Sequence, residues 1–113
     1  MQTIIVSQLL DSTKAISADS GKKLLENTLA ALETNEKITL DFSDVRQYTT
    51  MFFNAFVADM IINYISPIDY NERVHLTGLS PLGQATYQKS YNNALNFDGN
   101  KAVRMNEIIS SIE

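Results

Sequence analysis

The sequence predicts one α/β domain: a single, largely parallel β-sheet with alternating β-α units, helices mainly on one face, and a helix at the C-terminal end. Three observations carry this. Short β-branched or alternating runs recur along the chain, each followed by a longer segment with helical periodicity. Strands that alternate with helices return to their sheet by crossovers, which makes neighbouring strands parallel. The second and third strand segments alternate apolar with polar residues, whereas parallel strands covered on both faces read as continuous apolar runs. The sheet is therefore expected to be covered well on one face and thinly on the other, unlike a doubly wound nucleotide-binding fold. A length of 113 residues with no low-complexity linker fits one domain over 1–113.

The elements follow in order. Residues 3–6 (TIIV) read as the first strand, and 12–17 as a polar connection. From Asp19 to Glu33 the apolar positions Leu24, Leu25, Leu29 and Leu32, with Thr28, mark one face of a helix. Ser17 or Asp19 can cap its start, and Asn35 suits a left-handed stop. In residues 37–42 (KITLDF), Ile38, Leu40 and Phe42 point one way and Thr39 and Asp41 the other. Residues 52–65 read as an apolar helix that stops before Pro67, because a residue preceding proline is pushed out of the α region. Its stripe of Phe53, Val57, Met60, Ile61 and Tyr64 is assigned to the sheet. Residues 73–77 (RVHLT) form the third strand. Ser80-Pro81 opens a helix running to about Leu95, a turn follows at Asp98, Gly99 and Asn100, and Met105, Ile108, Ile109 and Ile112 predict a last helix.

Composition narrows the function. Nine Lys and Arg against thirteen Asp and Glu give a net charge of −4, and only Lys22 and Lys23 are adjacent basic residues. Nucleic-acid binding needs a basic footprint that this chain lacks. The chain has no cysteine, which removes thiol catalysis, thiolate metal sites and disulfides. No apolar run reaches membrane-spanning length and the N-terminus lacks the pattern of a signal peptide, so the expectation is a cytoplasmic protein without membrane contact.

The catalytic inventory is nearly empty. His75 is the single histidine and assembles no triad, and the four glycines are isolated rather than gathered in a phosphate loop. Asp41, Asp44 and Asp59 have no recognised metal-ligand spacing. The expectation is a non-enzyme with no cofactor and no metal. Tyr87 and Tyr91 lie one turn apart and are read as packing.

Function in open α/β sheets gathers where strands hand over to helices. Residues 41–53 are the unusual handover. The loop Ser43-Asp44 leaves the strand and Thr49-Thr50 starts the next helix. A threonine there caps the helix, and the same place suits a phosphate, including one carried on the hydroxyl. Phe52 and Phe56 fall on the helix face shared with Asp59 and Asn63, which is expected to reach solvent as a protein-binding patch. The competing reading is that both rings pack under a neighbouring helix.

The run Leu40-Asp41-Phe42-Ser43-Asp44-Val45, followed after three residues by Thr49-Thr50, resembles the STAS domain of anti-sigma-factor antagonists. It is closer still to the STAS-like domains of unknown function, whose helix starts resemble the stretch 49–55 (TTMFFNA). The resemblance implies a STAS-like fold and a regulatory binding module. Its partner would be a protein, a kinase-type ATPase or anti-sigma-like regulator. Thr50 falls at the serine that is phosphorylated in the antagonists, with Thr49 beside it as a second acceptor candidate. Thr49 stands where that family has aspartate, Met51 replaces its second serine, Phe52 its glycine, and Ala55 the acid of the STAS-like group. Partner contacts are expected at Ser43, Asp44, Thr49, Thr50, Phe52 and Phe56. The alternatives are a structural subunit or homodimer joined through the Phe52/Phe56 face, and a receiver-like domain phosphorylated on Asp41.

Overall fold

The computed structural model describes residues 2–104, with side chains as far as Asn96. Strand β1 (Gln2–Ile5) runs directly into a short helix α1 (Val6–Leu10). Strand β2 (Lys14–Ala15) leads into helix α2 (Ala18–Thr34), followed by β3 (Ile38–Asp41) and β4 (Gln47–Tyr48). A continuous helical run comes next: α3 (Thr50–Phe53), a π-helical turn (Asn54–Ala58) and α4 (Asp59–Asn63). Helix α5 (Pro67–Arg73) precedes β5 (Val74–Thr77), and α6 (Pro81–Arg104) completes the described chain.

Strands β1, β3 and β5 form a parallel sheet in the order β1-β3-β5, so β3 is central and β1 and β5 are edges. β2 and β4 form a separate parallel pair. The single sheet read from sequence is thus two. The second pair is only two residues long on each side, too short for an alternation pattern to register. It satisfies the backbone of two loops: the N–H groups of Arg46 and Gln47 donate to Thr13 O, and that of Thr49 to Ala15 O.

The strand register puts Ile38 beside Val74, and Leu40 between Ile4 and Leu76, on one face. Those side chains are buried or half-buried. The other face carries Thr3, Thr39 and His75 in one row and Ile5, Asp41 and Thr77 in the next, all exposed or half-buried. The uneven coverage expected from the alternation holds. On the covered side, α2 and α6 both pack against the α3–α4 run. Gly21 makes the first of these contacts possible, since a Cβ there would lie 2.3 Å from the carbonyl oxygen of Phe52. The starts of α2 and α3 are therefore pressed backbone to backbone.

Several expectations need correction. Val6 belongs to α1 rather than the first strand, and Arg73 ends α5 rather than starting the third. Asn35 is extended (φ −130), not left-handed. The Arg73 guanidinium gathers carbonyls at and just beyond the end of α2, donating to Leu32 O at 2.8 Å, Asn35 O at 3.1 Å and Glu36 O at 2.9 Å. These bonds come from a distant residue, while Asn35 caps the helix locally by donating its Nδ2 to Ala31 O at 3.0 Å, so the stop falls where the sequence placed it although its backbone is extended. Tyr64 is not on the sheet-facing stripe; it ends α4 and is 60% exposed. The turn expected at Asp98, Gly99 and Asn100 falls inside α6, where neighbouring helical residues override one glycine and one asparagine at a cost of about 1 kcal/mol for the glycine. The last helix expected around Met105, Ile108, Ile109 and Ile112 lies outside the described residues. No single helix among the described residues is long and apolar enough to cross a membrane.

Candidate functional site

The start of α3 is built by Thr49. Its backbone is extended, and its hydroxyl accepts a hydrogen bond from Phe52 N–H at 3.1 Å while donating to Ile16 O at 2.7 Å. Both capacities of that hydroxyl are therefore used structurally. Thr50 is the first helical residue and half-buried, and its hydroxyl makes no hydrogen bond among the described residues. Two adjacent threonines that are alike in sequence are thus separated in role. Thr49 is a cap bolted to the β2–α2 connection, and Thr50 offers a free hydroxyl at a helix start, where unpaired N–H groups and the macrodipole favour negative charge.

Phe52 and Phe56 are not at the surface. Both are 0% exposed, as are Phe53, Val57 and Met60. The physical reason is twofold. Helices α2 and α6 cover the run on two flanks, so its apolar face is far wider than one stripe. The π-helical turn also shifts the angular register after Phe53, so a 100° spacing misplaces the residues beyond it. The rings instead join an aromatic cluster: Phe52 meets Phe53 edge-on at 5.2 Å, Tyr48 stacks on Phe53 at 6.0 Å, and Phe53 meets Tyr87 edge-on at 5.5 Å. The Tyr87 hydroxyl then reaches the Tyr70 hydroxyl at 2.6 Å. Burial pushes the Tyr87 hydroxyl up to about 12 and Tyr70 well above its ordinary value.

The exposed apolar residue beside Thr50 is Met51, 60% exposed, which is not among the partner contacts expected from sequence. Along the same helix Ala55, Ala58 and Ile62 line a shallow groove of about 500 Å³, whose other wall is Ala18, Asp19 and Lys22 from the start of α2. A signal for it was present: Ala55, Ala58 and Ile62 are spaced i, i+3 and i+7, a helical stripe of apolar residues with two alanines.

Ser43 and Asp44 lie at the end of β3, both exposed. The Asp41 carboxylate accepts from the Ser43 N–H at 2.9 Å and its hydroxyl at 2.5 Å, and these bonds hold Asp41 below the usual carboxylate range. Gly78 (φ 80) presses on this turn from β5; a Cβ there would come within 2.5 Å of Ser43 N. Among the described residues, no hydrogen bond joins this turn to Thr49 or Thr50. The structure brings Thr49, Thr50 and Met51 together and leaves Ser43 and Asp44 on a separately anchored turn. His75 is exposed on the thinly covered sheet face, and the described residues hold no group of three acidic or histidine side chains able to bind a metal ion.

Residues 20–84 match the model of a family described as STAS-like domain of unknown function (DUF4325). The matched stretch covers nearly all of α2, the central and third strands of the sheet, the whole α3–α4 run and the first turn of α6. No curated protein and no solved structure matches the chain.

Proposed function

The chain belongs to the STAS-like domain family of unknown function, and from that premise we propose a non-catalytic regulatory module that docks a protein at the start of α3 and is switched there by phosphorylation. The observation that carries the reading is the Thr50 hydroxyl at the first helical position, without a hydrogen bond among the described residues and next to Met51 at 60% exposure. The partner surface comprises Thr50, Met51 and the groove bounded by Ala55, Ala58 and Lys22. Phe52 and Phe56 support that surface from beneath. By resemblance to anti-sigma-factor antagonists, the partner is a kinase-type ATPase or a related regulator. A phosphate on Thr50 adds about two negative charges and three acceptor oxygens beside an apolar contact, which disfavours docking by charge and desolvation.

Mass spectrometry of the protein from its native host, with and without a co-expressed kinase-type ATPase, tests this. Phosphate on Thr50 only in the presence of the kinase is the expected result, with binding to that ATPase lost in Thr50→Glu and in Met51→Asp. An unmodified Thr50, together with unchanged binding by both variants, rejects the proposal.

A further inference from the structure

The β1 edge of the sheet carries a second surface, distinct from the α3 start. Gln2 N–H donates to Lys37 O and Gln2 pairs with Ile38, so the backbone groups of Gln2 and Ile4 turn toward β3. Alternation then turns the N–H and C=O of Thr3 and the N–H of Ile5 outward, away from the sheet. An edge of this kind is usually protected by lysine, proline, a bulge or an inward charge. β1 reads Gln-Thr-Ile-Ile and has none of these, so its one protection is its length of four residues. A groove of about 600 Å³ runs along the edge, walled by Asn27, Ala30, Ala31 and Thr34 of α2. Every residue lining it is uncharged, although the chain carries a net charge of −4.

We infer that β1 pairs with β1 of a second copy, antiparallel and about a two-fold axis, to join two three-stranded sheets into one. A self-complementary interface places each surface against itself, so a charged lining would repel its own image. This lining is neutral, so a second copy meets no like charge on it. Apolar burial selects the register. With the axis at Ile4, the two Ile4 side chains meet on the helix-covered face, and each Thr3 faces the other chain's Ile5 on the open face. Ile5, 36% exposed in the single chain, is covered by this arrangement. Thr3 and Ile5 are β-branched, the residue type that stabilises cross-strand pairs. The pairing also sets the two α2 helices side by side on the same face, where Ala30 and Ala31 leave room for close approach.

The experiment is sedimentation of the full chain, wild type against Thr3→Pro and Ile5→Lys. Thr3→Pro removes an outward N–H that the β1–β3 ladder does not use, so the fold is retained, as circular dichroism checks. A wild-type dimer that becomes a monomer in both variants is expected; should Thr3→Pro fail to fold, Ile5→Lys decides alone. The absence of cysteine supplies a positional readout. Opposed Ile4→Cys residues in a non-hydrogen-bonded antiparallel pair lie about 4.5 Å apart at Cα, within disulfide reach. Mild oxidation should give a covalent dimer for Ile4→Cys and none for Thr77→Cys at the opposite edge. A monomeric wild type, a dimer that survives Ile5→Lys, or equal crosslinking of the two cysteine variants overturns the inference, and a monomer leaves the edge to a strand from another protein.

Discussion

Thr49→Val and Thr50→Val change the same side chain by the same atoms, one residue apart, and should have very different effects. The Thr49 hydroxyl makes two hydrogen bonds, one that caps α3 through Phe52 N–H and one to Ile16 O. Loss of an N-cap costs about 1 kcal/mol, with a range of roughly 0.5–2. Loss of the second bond adds about 1 kcal/mol. Thr49→Val is therefore expected to lose about 2 kcal/mol. At about 4 °C per kcal/mol for a domain near this size, its melting temperature should fall by about 8 °C. Thr50 makes no such bond, so Thr50→Val should stay within about 0.5 kcal/mol of wild type, as for surface substitutions away from special features. Urea denaturation followed by circular dichroism measures both, and the double variant should match Thr49→Val alone. Equal destabilisation by the two single variants would refute the division of roles, and with it the reason for placing the switch on Thr50 rather than Thr49.

Alkaline pH tests the buried tyrosine pair. An unfolded tyrosine ionises near 10.0, whereas folded Tyr87 holds its proton to about 12. The unfolded state therefore loses its proton first, so the stability from this group is complete below about pH 10 and declines as pH rises toward 12, by about 1.4 kcal/mol per pH unit. Tyr87→Phe should flatten that decline and cost about 1–3 kcal/mol at neutral pH by leaving the Tyr70 hydroxyl buried without its partner. Tyr70→Phe with Tyr87→Phe should cost less than the sum of the two single changes, and an additive result counts against the pair. Gly78→Ala should cost at least about 1 kcal/mol for the left-handed backbone alone. It should also displace the Ser43 turn, visible as an upward shift of the Asp41 titration by NMR; an unmoved Asp41 would show that Gly78 does not support the turn.

The parts of the fold legible in sequence were those with a long or periodic signal. α2 and its buried face followed from Leu24, Leu25, Thr28 and Leu32, and the uneven sheet from the alternation in 38–42 and 74–77. Ser80-Pro81 correctly marked the start of α6. The same dipeptide at Ser66-Pro67 starts α5, where the Ser66 hydroxyl accepts from Asp69 N–H, but a proline placed just after an apolar helix signals a stop as readily as a start. Periodicity hid that short helix, because seven residues between a helix and a strand give no stripe to count. β2 and β4 were illegible for a similar reason. Each is two residues long and stable only because the other lies beside it. At the site, the helix start at Thr49-Thr50 was legible, while the exposed face was not. The π-helical turn and the flanking α6 decide which aromatic rings are buried, and both are tertiary facts.

These contacts also bear on how a switch at Thr50 would operate. Unwinding the start of α3 would break the bonds of Thr49 N–H to Ala15 O, Thr49 hydroxyl to Ile16 O and Phe52 N–H to the Thr49 hydroxyl. At about 1 kcal/mol each, that is about 3 kcal/mol before any buried ring is exposed. Phe52 and Phe53 are wholly buried, so their exposure would add about 1.5–3 kcal/mol apiece. A phosphate at a helix start contributes in the opposite direction, stabilising the helix by about 0.3–1 kcal/mol, and up to about 2 in the best geometry. Both signs oppose melting. A phosphorylated Thr50 would therefore leave α3 folded and act at the surface, by placing charge beside Met51 where a partner must otherwise bury apolar area. Accordingly, Thr50→Glu should lose binding while its circular dichroism and melting temperature stay at or slightly above wild type. A variant that loses binding only because it has lost helix would show that the switch is conformational, and that the anchoring of α3 by Thr49 and Gly21 is weaker than its geometry implies.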